Sequence, residues 1–121
     1  MYSVIVETCF NAEHQLTLAD GSKEKRHNHN WKVTAVVTSE TLNKMGLVVD
    51  FHRLKHLLEN VVSRINGSQL EKTTFFQKNN SSAENVAKYI YEKLETMLPK
   101  SVKLKEITVT EEEGCTAKFG K

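Results

Sequence analysis

Two stretches in the first third of the chain alternate between apolar and polar side chains. Residues 2–10 and 31–39 place an apolar residue at nearly every second position, which is typical of a β-strand with one buried face. The second strand can begin as early as Arg26. Residues 11–24 are rich in Asn, Asp, Gly, Ser and Lys, and this composition predicts a long loop.

Two later stretches carry apolar residues at helical spacing. Asp50 is a candidate N-cap, and the stripe that follows it consists of Phe51, Leu54, Leu58, Val61 and Ile65. Gly67 is the natural residue to end this helix, and residues 68–80 are predicted to form a loop. Ser81 and Glu84 then form a candidate capping box at the start of a second helix.

The chain ends in a second predicted hairpin. Residues 102–111 and 115–119 have strand character, and the Glu-Glu-Gly sequence at 112–114 predicts the turn between them. The element order is therefore β-β-α-α-β-β. This order favours an α+β fold in which a four-stranded antiparallel sheet carries two helices on one face, as a single domain over residues 1–121.

The composition narrows the class of protein. The chain has 121 residues with 39% apolar and 26% charged side chains, which fits one globular domain and argues against disorder. A net charge of +2 gives no basis for a nucleic-acid or membrane partner. There is no long apolar run and no signal-peptide pattern. Because two cysteines make no disulfide framework, we expect a cytoplasmic protein with reduced thiols, Cys9 in the core and Cys115 at the end hairpin.

Three of the five histidines carry the sharpest chemical signal. In an extended segment, His27 and His29 point to the same face and can converge on one ion. His14, which follows the first strand, is the candidate third ligand. Three neutral imidazoles without a thiolate suit Zn²⁺ with an open fourth position. On spacing alone, a surface pair beside the basic loop at residues 23–26 is an equal alternative.

His52 and His56 also have a spacing that can chelate a metal ion, since they lie four residues apart in the first predicted helix. The apolar stripe of that helix lies roughly opposite both side chains. We therefore expect both histidines to face solvent.

Five segments together resemble the family of 6-pyruvoyl-tetrahydropterin and 6-carboxy-tetrahydropterin synthases. Residues 10–14 resemble the family's F-x-A-A-H, and residues 27–31 its H-G-H-N-Y. Residues 46–55 resemble G-M-V-x-D-F-x-x-L-K, residues 81–85 resemble P-T-x-E-N, and residues 109–111 resemble the final V-x-E. The match extends over nearly the whole chain in the same order.

The resemblance implies the tunnelling fold, assembled through sheet edges into trimers that stack into hexamers. It also implies Zn²⁺ bound by His14, His27 and His29, and a dihydropterin substrate, notably dihydroneopterin triphosphate. Glu111 would anchor the pterin, because a carboxylate can accept two N–H bonds from the amino-pyrimidine edge. Without the resemblance, residues 111–113 have the composition of a solvated acidic turn.

The sequence departs from the family at the residues that usually transfer protons. Lys23 stands where the family has a Cys, and Asn66 and Gly67 stand where it has Asp-His. Glu24 is the remaining candidate base, and it resembles a subgroup that cleaves the substrate's side chain to give a 6-hydroxymethyl pterin. A carboxylate near zinc could act as a base if burial raised its pKa. The alternative places Glu24 in a solvated run of charged residues.

Three hypotheses follow from this pattern. The first is a zinc-dependent pterin lyase with Glu24 as the base. The second is a homologue that binds zinc and pterin but catalyses nothing, and the third is a structural homologue that binds no metal.

Overall fold

A computed structural model describes all residues, 1–121. It contains five strands: β1 (Tyr2–His14), β2 (His27–Ser39), β3 (Ser68–Gln69), β4 (Lys103–Glu112) and β5 (Cys115–Gly120). It contains three α-helices: α1 (Phe51–Ser63), α2 (Thr74–Lys78) and α3 (Ala83–Glu95). A single 3₁₀ turn covers Leu70–Lys72. The α+β class and the order of the main elements agree with the sequence.

All five strands belong to one sheet in the order β3-β1-β2-β4-β5. The β1–β2, β2–β4 and β4–β5 pairs are antiparallel, and β3 adds two parallel pairs at Ala12 and Glu13. The predicted sheet of four strands therefore gains a fifth, very short strand. The segment at 68–80, predicted to be a loop, contains this strand, the 3₁₀ turn and α2.

Strand β1 extends four residues beyond its predicted end. Its register with β2 is continuous from Tyr2↔Ser39 to His14↔His27. The residues of this extension are mostly polar, so they lack the apolar alternation that identifies a strand in sequence. Backbone hydrogen bonds to β2 stabilise this extension, and they cannot be predicted from the local sequence pattern.

The core lies between one face of the sheet and helices α1 and α3. The sheet contributes the fully buried residues Trp31, Val33, Ala35, Val37, Ile107 and Val109. The helices contribute Leu54, Leu58, Val61, Val86, Ile90 and Leu94. These are the apolar positions that the two periodicities predict. None of the helices has both the length and the apolar composition of a membrane-spanning segment.

Three local predictions are corrected by the structure. The N-cap of α3 is Ser82, whose Oγ accepts a hydrogen bond from the Asn85 amide, so the helix does not begin at the Ser81 box. Phe51 is 58% exposed, because it lies in the first turn of α1 at the margin of the core. Cys9 is exposed rather than buried, since it faces away from the helices.

Other predictions at the elements' ends are confirmed. The Asp50 side chain accepts a hydrogen bond from the His52 amide and caps α1. By contrast, Gly67 does not end the helix as predicted, because α1 ends at Ser63 with Arg64 as its C-cap. Gly67 lies three residues further on, with a φ of +73° that favours glycine. His52 and His56 are exposed, as the helical wheel predicts. Cys115 is exposed at the last hairpin.

Candidate metal centre

Three imidazoles meet at the end of the β1–β2 hairpin. His14 pairs directly with His27, and His29 lies two residues further along the same face of β2. One potential ligand atom from each side chain lies within 4.8 Å of the other two. The ring centroids are 4.7, 5.2 and 4.9 Å apart. The strand register therefore assembles all three predicted ligands into one cluster.

His14 is the most firmly held of the three. Its side chain is 1% exposed, and Nδ1 lies 2.8 Å from the carbonyl oxygen of Ser81. A carbonyl can only accept, so Nδ1 carries the proton and Nε2 of the neutral ring presents a lone pair. Trp31 packs edge-on against His14 and donates Nε1–H to the Ala12 carbonyl. This packing fixes the orientation of the ring.

Two buried nitrogen atoms in the cluster lack hydrogen-bond partners. They are Nε2 of His14 and Nε2 of His29, and no other buried side-chain nitrogen or oxygen in the protein is unpartnered. An unsatisfied buried polar group costs about 1–3 kcal/mol. Neutral imidazole is a preferred donor to Zn²⁺, and a second-shell carbonyl such as that of Ser81 is the usual partner of the other ring nitrogen. The residues therefore fit a divalent transition metal.

Glu24 lies at the exposed side of the cluster. Its Oε1 accepts hydrogen bonds from Nε2 of His27 at 3.0 Å and from the Leu16 amide at 3.1 Å. The bond from the Leu16 amide, with a smaller contribution from His27, lowers the pKa of Glu24 below its ordinary value. Burial thus does not raise the pKa as expected for a base, and the carboxylate is ionised at neutral pH.

Glu111 faces the cluster from β4. Its Oε1 lies 3.6 Å from Nε2 of His14, and its Oε2 lies 3.7 Å from Nε2 of His29. The pairing between β4 and β5 is irregular at this point, between Thr110 and Glu112. Glu111 is 22% exposed, so it is not part of a fully solvated acidic turn.

The residues at the family's usual proton-transfer positions are not part of the histidine cluster. Lys23 is exposed and forms an isolated bridge with Thr17. The Asn66 side chain accepts a hydrogen bond from the Asn11 amide, and the Gly67 amide donates to the Asn11 carbonyl. Asn66 and Gly67 therefore fasten the end of α1 to β1 and bring no acid–base group to the cluster.

Two residues near the cluster were missed by sequence analysis. Ser81 orients His14 through a backbone carbonyl, which no side-chain pattern can reveal. Glu84 lines a cleft of about 380 Å³ together with Glu111 and Cys115. Glu84 belongs to the segment that resembles P-T-x-E-N, which could have indicated a role at the site. The sequence analysis interpreted Glu84 only as a capping residue.

Comparisons with known proteins agree with this architecture. A sequence model of the 6-pyruvoyl tetrahydropterin synthase family matches residues 3–121. A dihydroneopterin monophosphate aldolase of Pyrococcus furiosus is 32% identical over 108 residues, which cover 89% of this chain and 88% of that protein. A putative 6-pyruvoyl tetrahydrobiopterin synthase of Caenorhabditis elegans is 28% identical over 106 residues, with coverage of 87% and 76%.

Solved structures share the whole fold. The 6-pyruvoyl tetrahydropterin synthase of Caenorhabditis elegans superposes with a TM-score of 0.87 at 24% identity, covering 99% of this chain and 95% of that chain. The Plasmodium vivax 6-pyruvoyl tetrahydropterin synthase gives a TM-score of 0.81 at 21% identity, with coverage of 99% and 97%. The family model and the Pyrococcus furiosus relative together establish that this chain belongs to the 6-pyruvoyl tetrahydropterin synthase family.

Proposed function

We propose that this protein is a zinc-dependent lyase that cleaves the side chain of dihydroneopterin triphosphate or a related dihydropterin. The observation that carries the proposal is the convergence of His14, His27 and His29, with two buried Nε2 atoms that have no partner. These three side chains would hold the zinc ion. When bound, zinc would act as a Lewis acid and orient the oxygen atoms of the substrate's side chain.

Two carboxylates beside the cluster are suited to the pterin ring. Glu111 and Glu84 line the same cleft, and no lysine or arginine lines it with them. An amino-pyrimidine edge presents neighbouring N–H donors, and a carboxylate can accept two of them in a charge-assisted contact. Glu111 would thus bind the ring at the edge of the cluster, while Glu84 offers a second acceptor within the cleft.

Glu24 would supply the base. Its carboxylate is ionised at neutral pH, and its Oε1 lies 3.0 Å from Nε2 of His27. In side-chain cleavage, a base takes the proton of the hydroxyl on the second side-chain carbon, and the bond between the first and second carbons breaks. The second carbon leaves as an aldehyde, and the electron pair is delocalised into the pterin ring until a proton returns to the first carbon. The relative from Pyrococcus furiosus is named an aldolase. Variants of the Plasmodium vivax protein replace a catalytic glutamate with Ala or Cys.

A second candidate is a protein that binds zinc and pterin without catalysis. The observation that favours it is the loss of the usual proton-transfer set, since Asn66 and Gly67 bind β1 instead. The two candidates differ only in whether Glu24 replaces that set.

The open edges of the sheet support a homo-oligomer. Strand β5 has a partner only on the β4 side, and β1 is covered by β3 only at Ala12 and Glu13. Unpaired edges are prone to association, and pairing between copies of the chain would remove them. We expect trimers or hexamers by light scattering. A monomer at micromolar concentration would contradict this part of the proposal.

The test is turnover of dihydroneopterin triphosphate and monophosphate by zinc-loaded protein. We expect a cleaved pterin product, and a loss of about 10²-fold or more in kcat for Glu24→Gln with unchanged zinc content. Asp20→Asn is the matched control, since Asp20 lies in the same loop and bonds only within it, to Ser22. Binding of pterin without any product from the wild-type protein would establish the second candidate.

A further inference from the structure

Residues 15–26 join β1 to β2 and form an arm that carries Glu24. Within the arm, Thr17 pairs with Lys23 as an isolated β-bridge. Next to this bridge, the Leu16 amide donates to Oε1 of Glu24 at 3.1 Å, and the Glu24 amide donates to the Leu16 carbonyl at 3.0 Å. The Glu24 carboxylate is therefore oriented by the backbone of the opposite half of the arm.

A side chain outside the arm binds this backbone at the adjacent residue. Oδ1 of Asn80 accepts a hydrogen bond from the Thr17 amide at 2.9 Å, and its Nδ2 donates to the Thr17 carbonyl at 2.9 Å. A carboxamide carries both an acceptor and donors, so it can satisfy the two backbone groups of one residue as a neighbouring strand would. Thr17 directly follows Leu16, whose amide orients Glu24. Asn80 is thus connected to Glu24 through the backbone of two residues.

Asn80 is itself fixed at the start of α3. The Asn85 side chain donates from Nδ2 to the Asn80 carbonyl at 2.9 Å, and the Asn85 amide donates to Oγ of the N-cap Ser82. The carbonyl of the next residue, Ser81, accepts from Nδ1 of His14. The same short segment therefore orients one histidine of the cluster through a backbone carbonyl and the arm through a side chain.

The other hydrogen bonds of the arm leave its middle free. Apart from the contact of Glu24 with the histidine cluster, those that join the arm to the rest of the protein lie at its two ends. Oε2 of Glu71 accepts from the Gln15 amide at 3.3 Å, and its Oε1 accepts from Nη1 of Arg26 at 2.7 Å. Asn80 is thus the residue that fastens the middle of the arm.

We propose that Asn80 is a positioning residue that keeps the Glu24 carboxylate at the histidine cluster for proton transfer. This inference rests on the proposed function, in which Glu24 is the base. A base must lie within hydrogen-bond reach of the proton that it takes, so a displacement of about 1 Å can lower the rate about 10²-fold. Without the two bonds to Thr17, the middle of the arm can move and Glu24 moves with it.

The first test measures the turnover of dihydroneopterin phosphates by zinc-loaded Asn80→Ala. We expect kcat to fall about tenfold or more, while KM and the affinity for zinc stay within about twofold, because the histidines and Glu111 are unchanged. Asn79→Ala is the matched control, since Asn79 is the adjacent asparagine and its Nδ2 donates to the Phe75 carbonyl of α2. A parallel loss of zinc affinity, or an equal loss of kcat in Asn79→Ala, would indicate a general structural role and overturn the inference.

A double-mutant cycle tests whether Asn80 acts through Glu24. In the Glu24→Gln background, Asn80→Ala should no longer lower kcat, because no base remains to be positioned. The same fold-loss in both backgrounds would mean that Asn80 contributes independently of Glu24, and the inference would be wrong.

Amide hydrogen exchange provides a measurement that does not depend on turnover. We expect the Leu16 and Glu24 amides to exchange about tenfold or more faster in Asn80→Ala than in the wild type or Asn79→Ala, with and without zinc. Unchanged protection of these two amides would mean that the arm is held without Asn80, which overturns the inference and leaves the lyase proposal intact. If the wild-type protein forms no cleaved product, the lyase proposal fails and this inference fails with it.

Discussion

Strands β1 and β2 contribute to two regions, the helix-covered face of the sheet and the histidine end of the β1–β2 hairpin. The two regions differ in whether buried polar groups have hydrogen-bond partners. In the core, the Tyr91 hydroxyl donates to the Leu104 carbonyl at 2.9 Å, so the buried oxygen is satisfied. At the hairpin end, Nε2 of His14 and of His29 are buried without partners. The chain thus satisfies this polar group in the core, whereas at the hairpin end it supplies no hydrogen-bond partner for two buried nitrogen atoms.

Trp31 joins the two regions. It stacks on Phe10 with a centroid separation of 5.8 Å on the core side, and it packs edge-on against His14 at 4.9 Å on the other. Trp31 therefore packs against both the core and the cluster. The difference between the regions predicts that metal binding and folding can be perturbed separately.

The largest difference between the effect on zinc affinity and the effect on stability is expected from His27→Ala. His27 is 44% exposed, so its loss should change the free energy of unfolding of the metal-free protein by no more than about 0.5 kcal/mol. Removal of one of three ligands should lower the affinity for zinc by at least about 10²-fold. Competition with a chromophoric chelator measures this change.

His52→Ala is the control for that variant, because His52 is exposed on α1 and is not part of the histidine cluster. Unaltered zinc affinity in His27→Ala would show that the cluster is not the metal site.

The converse effect is expected from Leu58→Ala in α1. Leu58 is fully buried, and truncation of such a leucine costs about 2–5 kcal/mol because a cavity remains. Denaturant unfolding measures the loss. The folded fraction should keep its zinc affinity, and the neighbouring Leu57→Ala should cost less because Leu57 is only partly buried. Loss of zinc in proportion to stability would mean that the two regions are not separable.

The smallest effect is expected from Glu71→Gln, which tests the ion pair between Glu71 Oε1 and Arg26 Nη1, 2.7 Å apart. Partial burial raises the pKa of Glu71, but hydrogen bonds from Ser81, Arg26 and the Gln15 amide outweigh it and hold the pKa below the ordinary value of 4.5. A lowered pKa in the folded state stabilises the protein above the unfolded-state pKa, and this stability is lost as the pH falls through the folded-state value.

At pH 7 the variant should therefore be less stable than the wild type by about 1 kcal/mol. The difference should diminish as the pH falls below 4.5, which thermal unfolding at several pH values can measure. Glu106→Gln is a matched control with a looser ion pair, 3.8 Å from Lys118, and should have less effect. A difference that is constant with pH would mean that the carboxylate charge of Glu71 does not contribute.

Much of the fold follows from local pattern. The alternation at residues 31–39 and the stripe in α1 predict buried faces that the structure confirms. The extension of β1 and strand β3 were not predicted, because polar residues there acquire their structure from distant partners. The backbone bond from Gly67 to Asn11 spans 56 positions along the chain, which is too far for periodicity to detect.

The amino-acid sequence by itself determined the types of residue available for chemistry: the histidine pair two residues apart, the third histidine after the first strand, and the family resemblance. Tertiary structure decided how they are used. The register of β1 against β2 brings His14 opposite His27, and the Ser81 carbonyl, 67 positions away, selects the His14 ring nitrogen that remains free. The bond from Leu16 likewise lowers the pKa of Glu24 instead of raising it. Hydrogen bonds and burial arise only when distant segments pack together, so they cannot be deduced from residue order alone.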